Sequence, residues 1–257
     1  MHLPRLIHFI MKRVTWQSAL GISLVALSAL LYFMEIEIFH SSRDTFFYLF
    51  QDVAFVPIQV LLVTLIINRL LTVREKRSRM EKLNMVIGVF FTEVGTKLLT
   101  HFSDCDPNLE SVRKDLIVTN NWSHEEFKRV KNRLKHYDYG VKIQKVNLMH
   151  LRDFFLAKKE FLLRLLENPN LLEHESFTEL LLAVFHLVEE LVVREDIVSI
   201  PDSDQHHIAG DIRRAYTLLV YQWLEYMGHL KSQYPYLFSL AMRMNPFDEN
   251  ASPIVKS

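Results

Sequence analysis

The stretch from Val53 to Asn68, VAFVPIQVLLVTLIIN, holds 16 residues without a charge and runs straight into the basic segment RLLTVREKRSRMEK. An uncharged run of that length fits few environments. At 1.5 Å per residue it makes about 24 Å of helix, close to a bilayer's hydrocarbon core of about 30 Å. It spans if Phe46–Phe50 are recruited at its outer end and Arg69 snorkels at its inner end. A second uncharged run, Val14 to Met34, is 21 residues long, with Trp16 and Tyr32 near its ends. Amphipathic rings prefer the headgroup level, so this run is also expected to span. Ala26-Leu27-Ser28 resembles a signal-cleavage site, but the apolar run continues past it, which favours an uncleaved helix.

The flanks set the orientation. Glu35, Glu37, Arg43, Asp44 and Asp52 lie between and at the entry of the two runs, one base against four acids. Arg5, Lys12 and Arg13 precede the first run, and Arg69, Arg74, Lys76, Arg77, Arg79 and Lys82 follow the second. The positive-inside rule then places both termini in the cytoplasm of a prokaryotic plasma membrane. Arg69, Arg74, Lys76, Arg77 and Arg79 are expected to anchor the chain at the inner leaflet. Leu3, Leu6, Ile7 and Ile10 recur at helical spacing and suit a short helix in the membrane interface.

Beyond the spans the pattern is helical throughout. Met80, Leu83, Ile87, Phe90, Phe91, Val94 and Leu98 step by threes and fours, so one helix is expected to run from Leu70 to Phe102. Gly88 and Gly95, one heptad apart, would let another helix approach closely. Further helices are expected at Leu109–Val118, Ser123–Tyr137, Leu148–Glu167, Leu171–Arg194, Gln205–Lys231 and Tyr236–Met244. Ser123 with Glu126 has the arrangement of a capping box, and Asn147 is placed to cap the next helix. The chain has only 6 glycines, and no run alternates like a strand. The fold class is therefore all-α: two transmembrane helices in a membrane domain over 1–72, with spans at about 14–34 and 46–71. A cytoplasmic helical bundle over 73–244 follows, with the second span continuing into it as a long helix, and then a loose tail over 245–257.

Chemistry-bearing residues are sparse. Thr45, Asp52 and Gln59 are seven apart, and Ile66, Val73 and Met80 continue the register. Polar groups at membrane depth normally face protein or water, so Asp52 and Gln59 are expected to hold helices together, within one chain or in a homo-oligomer, or to line a pore. Lys128, Arg129, Lys131, Arg133 and Lys135 form a basic helix that could meet anionic lipid or a cytoplasmic protein partner, though such runs are usually solvated faces. His206, His207 and Asp211 are the nearest thing to a metal-binding set, beside the reading that they cap a helix. His186, inside AVFHLV, reads as a core histidine, with Glu189 three residues on. A bundle metal site of the Glu-x-x-His kind needs a repeated motif, and only one reversed copy is present. The 30 Lys and Arg balance the 30 Asp and Glu, which argues against a nucleic-acid partner. The single Cys105 excludes an internal disulfide and a cysteine-rich metal site. No phosphate loop, zinc-hydrolase helix or nucleophile elbow is present.

The run YLFQDVAFVPIQVLLVTLIINRLL with EKLNMVIGVFFTEVGTKLL resembles a group of uncharacterised prokaryotic membrane proteins over about Tyr48 to Leu99. That resemblance implies a two-span N-terminal unit before a helical cytoplasmic part, and no activity or cofactor. The expected function is a non-enzymatic, membrane-anchored interaction or signalling module without cofactor, embedded in the lipid bilayer and oligomeric. An oligomeric channel lined by the second span is the alternative, and a membrane-bound metal-dependent enzyme using the histidines is the third reading.

Overall fold

A computed structural model describes residues 22–38, 42–169, 171 and 174–255. The expected interfacial helix at the N-terminus and the first part of the 14–34 run lie outside the described residues. Helices are the only regular structure among the described residues. The chain divides at Arg74/Glu75 into two compact units.

In the first unit, residues 22–38 form α1, and α2, Ser42–Phe90, begins here. Every residue from Val53 to Asn68 is exposed. Among the described residues one helical run, Arg43–Ser103, contains a stretch long and apolar enough to cross a membrane, and none of that stretch is buried. Pro57 lies inside α2, which stays α-helical through it. The Tyr32 hydroxyl of α1 donates to Asp52 Oδ2 of α2 at 3.1 Å.

In the second unit α2 ends at Phe90, and the chain makes one π-helical turn, Phe91–Gly95, before α3, Thr96–Ser103. The expected unbroken helix is thus interrupted, and Gly95 shows why. A Cβ there would lie 2.6 Å from Phe91 Cδ1 and 2.9 Å from Phe90 Cε1. Both phenyl rings are fully buried, so the widened turn folds them over a residue without a side chain. Gly95 therefore serves its own helix. Gly88 does meet another helix, with the Tyr226 ring lying over it.

Short helices follow: a 3₁₀ turn Leu109–Ser111, then α4, Arg113–Leu116, and α5, His124–Leu134. Ser123 accepts the Glu126 N–H at 3.2 Å, the expected cap. The Glu126 carboxylate turns to Arg129. After a 3₁₀ turn at Ile143–Lys145 come the long elements α6, Leu148–Leu166, α7, Glu175–Val193, and α8, Asp202–Gln233, and then α9, Pro235–Arg243. Asn147 caps α6 through His150 N–H at 2.9 Å. α7 starts four residues later than expected because His174 caps it, Nδ1 accepting the Phe177 N–H at 3.2 Å.

α8 is the centre of this unit. It packs against α3, α5, α7 and α9, and buries Ile208, Ile212, Ala215, Tyr216, Leu219 and Trp223 along its length. The C-terminal segment differs from the loose tail expected. Phe247 is buried edge-on against Trp223, with centroids 5.2 Å apart, and Asn245 donates to the Leu116 carbonyl at 2.8 Å. One aromatic anchor and a satisfied amide are enough to hold a polar strand of chain against the bundle.

Candidate functional site

The connection between α7 and α8 is short and closed on itself. Asp196 Oδ1 accepts the N–H groups of Val198 and Ser199 at 2.8 and 3.1 Å, forming the turn. Arg194, at the end of α7, then clamps Asp204 in the first turn of α8 through two hydrogen bonds, 2.6 and 2.8 Å. Each step further from the turn pairs a residue four earlier on α7 with one three or four later on α8: 194 with 204, 190 with 207, 186 with 211. That register is antiparallel, and it lines one seam with polar groups.

Four side chains converge in the seam. His186 Nε2 lies 3.5 Å from Asp211 Oδ2 and 3.8 Å from Glu190 Oε1. His207 Nε2 lies 3.3 Å from the same Asp211 oxygen and 3.6 Å from Glu190 Oε2. Asp211 sits in the core-facing stripe between Ile208 and Ala215, so its carboxylate is only 4% exposed. Both histidines lie at the rim, 43% and 53% exposed.

Each carboxylate has an arginine beside it, at different range. Arg194 Nη1 donates to Glu190 Oε2 at 2.7 Å, and Arg214 Nη1 stands 3.5 Å from Asp211 Oδ1. Asp211 Oδ2 is buried and has no hydrogen-bond partner among the described residues, although two imidazole nitrogens face it. The hydrogen bond from Arg194 holds the Glu190 carboxyl below its ordinary range, and the same guanidinium holds Asp204 down. Asp204 in turn raises Arg194 further. Three carboxylates and two guanidiniums meet in the seam, and two imidazoles add nitrogen donors. Imidazole nitrogens and carboxylate oxygens gathered in this way are the donor types that ligate divalent cations. A cleft of about 930 Å³ beside it is lined by His207 and Asp211, with Lys135, Arg213, Arg214 and Tyr221 around them.

His207 and Asp211 are thus brought together as the sequence suggested, but His206 is not. Its Nδ1 faces the Asp202 carbonyl at 2.7 Å, and it is exposed. The missing partners are His186 and Glu190. His186 is not a core residue, and Glu189, paired with it by spacing, is exposed. A signal was present in the chain: His186/Glu190 and His207/Asp211 repeat one i,i+4 histidine–carboxylate pair on consecutive helices.

The other candidates are less convergent. Asp52 is bound to Tyr32, and Gln59 is exposed. Arg69, Arg74 and Lys76 are exposed, while Arg77 and Arg79 make exposed i,i+4 pairs with Glu81 and Glu75. Along α5, Arg129 pairs with Glu126, Lys131 with Glu225, and Arg133 with Asp115 at 2.6 Å, so much of the basic face is neutralised internally. Lys128 and Lys135 stay exposed. Cys105 is buried, and burial pushes its thiol up, which makes it unreactive.

The fold and seam define a two-part, all-α protein with a polar histidine–carboxylate cluster on its central helix pair. A family model described as "Uncharacterized protein MJ1433, C-terminal helical domain" matches residues 79–243, and one described as "MJ1433, N-terminal helical domain" matches residues 11–71. The chain is also 48% identical over 237 residues to "Uncharacterized protein MJ1433" of Methanocaldococcus jannaschii, covering 92% of this chain and 95% of that one. The chain belongs to the MJ1433 family. No solved structure matches it.

Proposed function

We propose that the protein is a membrane-anchored helical module. α1 and α2 sit in a prokaryotic plasma membrane, both termini face the cytoplasm, and the helical domain from Glu75 onward works there as a non-enzymatic interaction or signalling part. Its working site is the α7–α8 seam. The observation that carries the anchoring is the surface of α2, where every side chain from Val53 to Asn68 is exposed and uncharged. Burying a Val, Leu, Ile or Phe side chain is worth about 1.5–3 kcal/mol. A helix that leaves eleven such residues uncovered in this stretch is at home in hydrocarbon, where its backbone hydrogen bonds are already made internally.

The acids around the α1–α2 connection and the bases that follow the apolar run of α2 support the orientation. The Tyr32–Asp52 hydrogen bond supports the use of Asp52 as glue between α1 and α2, in preference to pore lining. Self-association is part of the proposal, and the molecular mass of the complex in nanodiscs measures it. Topology reporters test the anchoring. A reporter fused after Ser257 is expected to be active only in its cytoplasmic form, and one placed after His40 only in its external form. Cytoplasmic activity at both positions would contradict the two-span arrangement.

A further inference from the structure

The chemistry of the seam is more specific than "polar". The four nitrogen–oxygen separations run 3.3, 3.5, 3.6 and 3.8 Å. Hydrogen bonds or tight ion pairs would draw these atoms to about 2.7–2.9 Å. Neither imidazole is aligned to donate to the buried Asp211 oxygen. Two imidazole nitrogens and three carboxylate oxygens thus face one another across the seam at separations longer than hydrogen bonds. Ligand atoms about 2.0–2.2 Å from a tetrahedral ion lie about 3.3–3.6 Å apart. Around a six-coordinate magnesium the same spacing is about 2.8–3.0 Å. Calcium's longer bonds would suit the spacing, but calcium takes oxygen ligands, and two of these donors are imidazoles.

The burial of Asp211 is a second, independent observation. A carboxylate oxygen shut away from water without a hydrogen bond is costly, and proteins tolerate it where the oxygen has another role. Here each carboxylate has one oxygen steadied by an arginine, Glu190 by Arg194 and Asp211 by Arg214. Asp211 Oδ2 is turned to both histidines, whereas Glu190 faces His186 with Oε1 and His207 with Oε2, the oxygen that Arg194 also holds. Outer residues that orient ligating side chains are a regular part of metal sites. His186, Glu190 and His207 each offer a ligand atom within 4.8 Å of the others; Asp211 adds an oxygen 3.5 and 3.3 Å from the two imidazoles, and a cleft that His207 and Asp211 line together with Arg213 and Arg214 opens beside them.

We propose that His186, Glu190, His207 and Asp211 bind one divalent first-row transition ion of the zinc or cobalt kind in four-coordinate geometry, so that the ion staples α7 to α8. The proposal rests on the reading of this seam as the working site, and it is independent of membrane anchoring. With four protein ligands the site is closed, which suits a structural or sensing ion better than a hydrolytic one. Cysteine is not required, since imidazole and carboxylate together suit zinc and its neighbours.

The test uses the full chain in detergent micelles, stripped with chelator and titrated with cobalt(II) alone. The expected result is one ion per chain, with the intense visible bands of four-coordinate cobalt. Asp211→Asn keeps the side chain's size, and it is expected to weaken binding by more than about 100-fold, beyond the usual effect of an outer residue. His186→Ala is expected to abolish stoichiometric binding, and His206→Ala to leave it unchanged. Circular dichroism of each stripped variant shows that the helices persist. The absence of stoichiometric binding, the faint spectrum of six-coordinate cobalt, or equal binding by wild type and Asp211→Asn would overturn the proposal. None of these results bears on anchoring, which is read by topology and membrane partition.

Discussion

At the scale of single residues, two polar side chains show how burial decides chemistry. Asp211 occupies a place that periodicity would give to Ile or Leu, and its neighbours make that place useful. His174 is the second case. Burial lowers its imidazole below the ordinary value of 6.5, and its neutral Nδ1 caps α7 by accepting the Phe177 N–H. A base whose folded value is depressed adds stability that is complete above pH 6.5. That stability falls as pH drops from 6.5 to the depressed value, because the unfolded chain takes the proton first. Thermal unfolding at pH 8 and pH 5 is expected to show His174→Asn, which preserves a cap, losing less stability on acidification than wild type. His174→Ala is expected to cost about 1 kcal/mol at pH 8. An identical pH response in wild type and His174→Asn would remove the cap from the account.

At the scale of elements, the π-helical turn at Phe91–Gly95 makes a sharp prediction. A methyl group at Gly95 would press on the Phe90 and Phe91 rings, which are fully buried and cannot swing away. Gly95→Ala is expected to destabilise the helical domain by about 1–3 kcal/mol, the usual range for overpacking. In an ordinary helix the same change would stabilise, because glycine is the poorer helix former by about 1 kcal/mol. The sign of the measured change therefore distinguishes the two geometries. Most helices were legible in the chain, since Ser123, Asn147 and the three- and four-residue apolar steps are local signals. The π turn was not, because it depends on where two phenyl rings find space. The packing of the tail is hidden from the sequence for a related reason: Phe247 is one aromatic among polar residues and has no periodicity, and its partner Trp223 lies on α8. The seam was half legible. His207 and Asp211 share a helix face by spacing alone, whereas His186 and Glu190 join them only through the register of α7 against α8, which the Arg194–Asp204 clamp and the turn at Asp196 determine.

At the scale of the whole molecule, the balanced charge of the chain hides a sorted arrangement. Acids dominate the end of α1 and the start of α2, bases follow the apolar run of α2, and the helical domain pairs many of its own charges internally. A single apolar helix could belong to a soluble assembly in which partners cover it, or to a bilayer. The sorted charge and the uncovered apolar surface favour the bilayer, and the central proposal is that α2 is an integral span. Partition of the full chain after an alkaline carbonate wash of membranes tests that claim most directly. The chain is expected to stay with the membrane pellet and to be released only by detergent. Its release into the carbonate supernatant would contradict an integral span.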